Sequence, residues 1–456
     1  MAKTSIKIAY IGGGSRYWAR DLMADLALSP KLEGTIDLYD LEPAPAEKNV
    51  AISKHIFSRP AAVGRFKVRA VRRLPEALKG ADFVVISTEP GPIAMRYADL
   101  VIPAQHGILQ PVGDSTGPGG ILRALRAIPE YLGFAEAIGE YCPKAWVINY
   151  TNPMTLCTAA LHAGFPGIKA FGCCHEVFHT QTRLAQFVAK WFGVDLPARQ
   201  EIRLDIAGVN HFTWATAATW QGRNLFPHLT REIAQPKFFA DATAIAQDHL
   251  AHERWFTSPG LIAYDLYRRF GAIGAAGDRH LAEFVPWYLQ GGEAGLNRWG
   301  VISTPYSWRK KRRSLRDHPV EHYLTRPLKA SGEEGVAQME ALLGLGNLDT
   351  NVNLPNQGQI AALPAGAVVE TYAQFRRDSL VPVVAQSLPE PANALVRRIV
   401  DVQALTLAAV RERSVEAAFT ALLTDPLVHL QTDAAWKMFV PMLRHCRNCL
   451  PGWKLP

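Results

Sequence analysis

Three short stretches of this chain combine residue types and spacings that could do chemistry. Gly12-Gly13-Gly14-Ser15 follows directly on the apolar run Ile6–Ile11. Cys174-His175-Glu176-Val177 follows Gly172-Cys173, and Asn210-His211 separates two β-rich runs. A glycine turn between a strand and a helix lets backbone amides approach a pyrophosphate, which a helix N-terminus favours. Cys174 and His211, a thiol and an imidazole at two strand ends, could share one divalent cation and leave positions open for substrate oxygens. By softness the pair suits zinc or iron as well as manganese. An oxidised nicotinamide beside a cation that grips vicinal hydroxyls permits hydride removal at one carbon. The ketone so formed acidifies the neighbouring C–H, and a leaving group on the next carbon departs by elimination.

Each piece has a plainer reading when taken alone. A strand cysteine is most often a small buried hydrophobe, and a lone histidine a hydrogen-bonded core residue. The glycine fingerprint is partial, because its usual third glycine is Tyr17. Asp40 strengthens it by closing the second strand, where a carboxylate can accept from ribose hydroxyls and disfavour an extra 2′-phosphate. NAD is therefore expected over NADP, held by Gly12, Gly13, Gly14, Ser15, Asp40 and Thr88.

The elements that must position these groups follow from periodicity. Over residues 1–195, β-rich runs at Ile6–Ile11, Thr35–Tyr39, Asp82–Ser87, Trp146–Asn149 and Ile168–Cys173 alternate with helical patterns such as Tyr17–Ala27, Ala44–Phe57 and Ile121–Tyr141. That alternation predicts an α/β fold, an N-terminal Rossmann-like doubly wound sheet with its ligands beyond the strand C-termini. From residue 196 to 456 the texture becomes that of an α+β domain. Strands at Ile202–Ile206 and Phe212–Thr219 precede helical stretches at Asp241–Phe256, Asp278–Gln290 and Ala392–Val415, and Pro382–Pro391 reads as a connection. The whole is expected to be lactate/malate dehydrogenase-like.

Composition sets bounds. The 456 residues are 48% hydrophobic and carry 49 basic against 41 acidic side chains, a net +8 that could steer an anionic substrate. The run Arg309-Lys310-Lys311-Arg312-Arg313 has no interleaved aromatic platform, so a solvated loop or subunit contact is expected and nucleic acid is not. Six cysteines are too sparse for a disulfide framework, and Cys446-Arg447-Asn448-Cys449 stands alone near the C-terminus. Neither a signal peptide nor a run near the ~18 apolar residues of a membrane span is evident, so a cytoplasmic location is expected.

Several motifs in fixed order resemble glycoside hydrolase family 4, the NAD- and metal-dependent glycosidases, over nearly the whole chain. They are Ile11-Gly12-Gly13-Gly14-Ser15, Gly117-Pro118-Gly119-Gly120, Asn149-Tyr150-Thr151-Asn152-Pro153, Gly172-Cys173-Cys174-His175, Gly208-Val209-Asn210-His211, Gly277-Asp278-Arg279-His280 and Asn353-Leu354-Pro355-Asn356-Gln357-Gly358. The resemblance implies hydride abstraction at C3, proton loss at C2, elimination of the aglycone, water addition and return of the hydride. It gives the metal to Cys174 and His211, with manganese as the ion, and sugar contacts to Asn152 and Asn210. Cys-His-Glu-Val is similar to the α-galacturonidase subgroup, whose substrate bears a carboxylate; α-glucuronidase and α-glucosidase are the neighbouring alternatives. Arg96 and Arg279 are the expected carboxylate contacts. For the C2 proton the first choice is Asp278, with Tyr264 or Tyr267 as alternatives, and His175 and Glu176 are assigned to the leaving group. A homodimer or homotetramer acting on a small anionic glycoside completes the expectation.

Overall fold

A computed structural model describes residues 3–315, 317–325 and 327–456. Six parallel strands open the chain: β1 (Thr4–Ile11), β2 (Leu32–Tyr39), β3 (Arg65–Val71), β4 (Phe83–Ile86), β5 (Trp146–Asn149) and β6 (Lys169–Gly172). Their spatial order is β3-β2-β1-β4-β5-β6, that of a doubly wound dinucleotide-binding sheet. Helices cover both faces, so the central strands are apolar on both sides. In β1, Ala9 and Ile11 enter one core while Ile8 and Tyr10 enter the other.

A second, antiparallel sheet follows, from β7 (Ile202–Val209), β8 (Phe212–Trp220), β9 (Arg223–Asn224) and β10 (Ile273–Gly274). The chain then returns to the first sheet. Strands β11 (Leu348–Pro355), β12 (Val368–Arg376) and β13 (Ser379–Pro382) run antiparallel along its β6 edge and extend it to nine strands. One continuous sheet thus draws on both ends of the sequence, and β6 is an interior strand.

Several differences from the sequence reading have physical reasons. Strand β3 was not expected, because its exposed Arg65, Lys67 and Arg69 interrupt the apolar pattern at an edge. The helix expected over Asp278–Gln290 ends at Phe284, where Pro286 starts a separate 3-10 turn, Pro286–Leu289. The basic run is not a solvated loop. It forms half of the helix Tyr306–Leu315, and Arg309 is buried at 9% exposure. All six cysteines are free, and no helix among the described residues is long and apolar enough to cross a membrane.

Candidate active site

The site is built on a two-residue turn. Strands β7 and β8 pair up to Val209 and Phe212, so Asn210 and His211 alone reverse the chain. His211 has φ 65°, a left-handed conformation that a histidine tolerates at a cost of about 1–3 kcal/mol. That turn sets the buried imidazole against Ser115, with a 2.8 Å hydrogen bond between Nδ1 and the Ser115 hydroxyl. His280 lies over it, ring centroids 3.7 Å apart. Asp114 completes a triad with His211 and His280 whose ligand atoms all lie within 4.8 Å of one another. Burial opposes ionisation of Asp114, but the facing His280, His211, Arg96 and Arg123 outweigh it and hold the carboxyl well below its ordinary range. His280 is pushed down to about 3 by burial and by His211, so its imidazole is neutral at physiological pH, the form that binds metal.

Cys174 approaches from the end of β6. It is buried, and its carbonyl accepts from Asn351 Nδ2 at 3.0 Å. The same amide donates to Glu370 at 2.8 Å, and Glu370 takes the Thr213 hydroxyl at 2.5 Å. Burial pushes the Cys174 thiol well up, and the Glu370 and Glu176 carboxylates add to it. Cys174 is not one of the close Asp114–His211–His280 triad. Glu176 joins the two groups: Oε2 accepts from the Gly277 amide at 2.6 Å, and Oε1 lies 3.8 Å from His280 Nε2. His175 turns the other way, 2.9 Å from Glu333 and stacked on Trp18 at 5.7 Å.

Asn152 Nδ2 donates to Asp114 at 3.4 Å, and its Oδ1 is buried without a partner. Arg96 is 4% exposed and donates to the Gly113 carbonyl at 2.8 Å. Arg279 is also buried and donates to the Pro111 carbonyl at 3.0 Å and the Thr304 hydroxyl at 2.7 Å. Asp278 has no exposed surface, and its oxygens accept from the Gly260 and Ala263 amides at 2.8 and 3.1 Å. It therefore caps the helix Leu261–Phe270. Burial raises its carboxyl above the ordinary value. Tyr264 packs its ring among Phe187 and Phe238, away from the histidine pair, and its hydroxyl has no partner. Tyr267 bonds to Thr230 at 2.9 Å.

At the other end of the cleft the glycine loop has the shape a dinucleotide needs. Gly12 has φ 91°, and a Cβ there would meet the Ser87 carbonyl at 2.0 Å. Asp40 accepts from the Gly14 amide at 2.8 Å and the Glu42 amide at 2.9 Å, which leaves lone pairs for ribose hydroxyls. Asn49 braces the loop from below through the Gly13 and Ser15 carbonyls. Thr88 donates its amide to Thr151 at 2.8 Å, and its hydroxyl is buried without a partner. Gly12→Ala should weaken NAD binding by about 10² or more, since strain and clash together exceed about 2–3 kcal/mol. Fluorescence titration with NAD checks it; wild-type affinity in the folded variant would exclude the loop as the cofactor cradle.

The residues fit both groups. A loop closed to any Cβ and an unpartnered Thr88 hydroxyl suit a dinucleotide, and a thiol, two neutral imidazoles and a carboxylate suit a divalent cation. Sequence reasoning gave no role to Asp114, His280 or Glu370. Asp114 and His280 lay within three residues of motifs already recognised, Gly117–Gly120 and Gly277–His280; Glu370 had no local signal. Comparison with known proteins agrees with the fold and the family resemblance. Residues 7–190 match the family 4 glycosyl hydrolases and residues 206–428 match the C-terminal domain of that family. An α-galacturonidase of Thermoanaerobacterium saccharolyticum is 45% identical, covering 99% of this chain and 97% of its own. The crystal structure of a Bacillus subtilis protein named as a glucosidase superposes with TM-score 0.87 at 42% identity, covering 96% of this chain and 100% of that one. A 6-phospho-α-glucosidase from gut microorganisms, solved with NAD and Mn2+, shares the fold at 20% identity and TM-score 0.77, over 99% and 100% of the two chains. Strand order, site and matches over both halves lead to one conclusion: this chain belongs to family 4 of the glycosyl hydrolases.

Proposed function

We propose that this enzyme hydrolyses α-galacturonides with NAD and a divalent cation, manganese first, as a cytoplasmic homodimer or homotetramer. The observation that carries the reading is the meeting of Asp114, His211 and His280 beside buried Arg96 and Arg279. The α-galacturonidase relative at 45% identity supports the sugar, the family solved with NAD and Mn2+ supports the cofactors, and the free thiols suit a reducing compartment. When bound, NAD supplies a hydride acceptor and the cation an electrophile for vicinal hydroxyls, so the C2 proton becomes acidic. Cys174 and His211 hold the cation in this reading, with Asp114 and His280 beside them. Asn152 and Asn210 orient the sugar through carboxamide atoms that are buried and unpartnered. Arg96 and Arg279 face the substrate carboxylate. Glu176, beside His280, flanks the leaving group; His175, expected there as well, is turned to Glu333 and Trp18 instead.

Asp278 takes the C2 proton in this scheme, its basicity raised by burial. The test is hydrolysis in D2O, read by mass spectrometry and NMR. One deuterium at C2 of the released sugar, with no net NADH, is expected; stoichiometric NADH would mean an ordinary dehydrogenase. Asp278→Asn should suppress that exchange by about 10²-fold or more. Undiminished exchange would move the base to Tyr264 or Tyr267.

A further inference from the structure

The loop Pro111-Val112-Gly113 lies inside a cage of guanidinium groups. Arg279 donates to the Pro111 carbonyl, and Arg309 to the Pro111 and Val112 carbonyls at 3.3 and 3.0 Å. Arg96 donates to Gly113 at 2.8 Å and Val112 at 3.4 Å. All three are at least nine-tenths buried. Buried cations are stable only when matched by negative charge, and here the match is short. Asp99 pairs with Arg126, at 2.9 and 2.8 Å, and with Arg96 at 3.5 Å, and Glu89 pairs with Arg123 and, at 4.0 Å, with Arg96, so the carboxylates on this side serve Arg96 and not Arg279 or Arg309. Asp114 already faces two imidazoles. Glu283 accepts from the Val112 and Gly113 amides at 2.5 and 2.8 Å, and burial pushes its carboxyl up to about 8, leaving it neutral at physiological pH.

The cage also holds an unused donor. Arg279 Nε is buried with no partner, and Arg309 donates through Nε to the Thr304 carbonyl and through Nη2 to the Pro111 and Val112 carbonyls. Arg309 faces Arg96, Arg279, Asp114 and Glu283, on the same loop that carries Asp114 to the histidine pair. We infer that Arg309 is a specificity-determining residue: with Arg96 and Arg279 it receives the substrate's carboxylate and thereby balances the charge of the cage. This rests on the uronide reading of the site. It gives a reason for a buried arginine next to the exposed Lys310 and Lys311. Neutral sugars would leave Arg279 and Arg309 with carbonyl and hydroxyl partners alone.

The test compares Arg309→Gln and Arg309→Lys with wild type. Free galacturonate and galactose are titrated calorimetrically into the NAD- and Mn-loaded proteins, and kcat and KM are measured for di-galacturonate. Arg309→Gln should weaken galacturonate binding and raise KM by about 30-fold or more, with galactose binding unmoved. Arg309→Lys keeps the charge but not the planar fork and should fall between. Should the Gln variant fail to fold, the Lys variant decides the matter: a folded Arg309→Lys with wild-type KM and galacturonate affinity overturns the inference. A fall in kcat alone, with binding intact, also overturns it, because Arg309 would then only position Asp114. Wild type that binds galacturonate but does not cleave di-galacturonate would overturn the proposed activity, and the binding arm would still judge Arg309.

Discussion

Cys174→Ser is expected to lower divalent-cation affinity by about 10² or more and turnover by about 10³-fold, with the fold intact. The thiol is enclosed by protein, next to Glu370 and Glu176, and burial together with those carboxylates keeps it protonated in the absence of a cation. A cation replaces that proton, so binding in wild type should release one proton and tighten as pH rises. A serine hydroxyl fills the same space but neither ionises at accessible pH nor offers a soft donor. Isothermal titration with Mn²⁺ in two buffers of different ionisation enthalpy reads both effects. Unchanged affinity and unchanged proton release in the serine variant would remove Cys174 from the coordination sphere and leave His211 with Asp114 and His280.

Asp114→Asn is expected to cost about as much, 10²–10³-fold in kcat/KM, for a different reason. Asp114 is the carboxylate of the close triad and faces His280, His211, Arg96 and Arg123. Asparagine keeps the shape and can still meet Asn152, but it removes the charge that those cationic and imidazole groups were arranged around. Breaking one partner of a buried charge network commonly costs about 3–5 kcal/mol, so the melting temperature should also fall. Bound Mn²⁺, read by electron paramagnetic resonance, should lose affinity in step with activity. A variant of wild-type activity would show that Asp114 holds the loop and takes no part in the chemistry.

The fold was legible where apolar periodicity is strong. Five parallel strands and the glycine turn could be read directly, because strands buried on both faces are continuous apolar runs. The return of β11–β13 to the first sheet could not. Strand β11 reads Leu-Asp-Thr-Asn-Val-Asn-Leu-Pro, polar at Asn351 and Asn353, both of which are buried. Asn351 spends its amide on Cys174 and Glu370, so the residues that make β11 useful to the site are those that hide it as a strand.

The site shows the same pattern. His211 was recognisable from its turn and Cys174 from its strand end, yet their neighbours come from four distant segments and are joined only by the fold. Asp278 illustrates another case: its motif suggested the base proposed above, and the same carboxylate also accepts two amides at the start of a helix, which the motif did not announce. Arg309 was read as part of a charge run because sequence carries no sign of which arginine in a run turns inward. Its bonds to the carbonyls of Pro111, Val112 and Thr304 tell it apart from the exposed Lys310.

In the proposed mechanism, one protein needs both a redox cofactor it does not consume and a divalent cation to break an α-galacturonide bond. Hydrolysis of di-galacturonic acid under reducing conditions, with NAD and Mn²⁺ each included or omitted, tests it most directly. Cleavage that requires both, with no accumulation of NADH, is the predicted result. Cleavage with either one left out of fully stripped protein, or NADH produced in step with product, would contradict it.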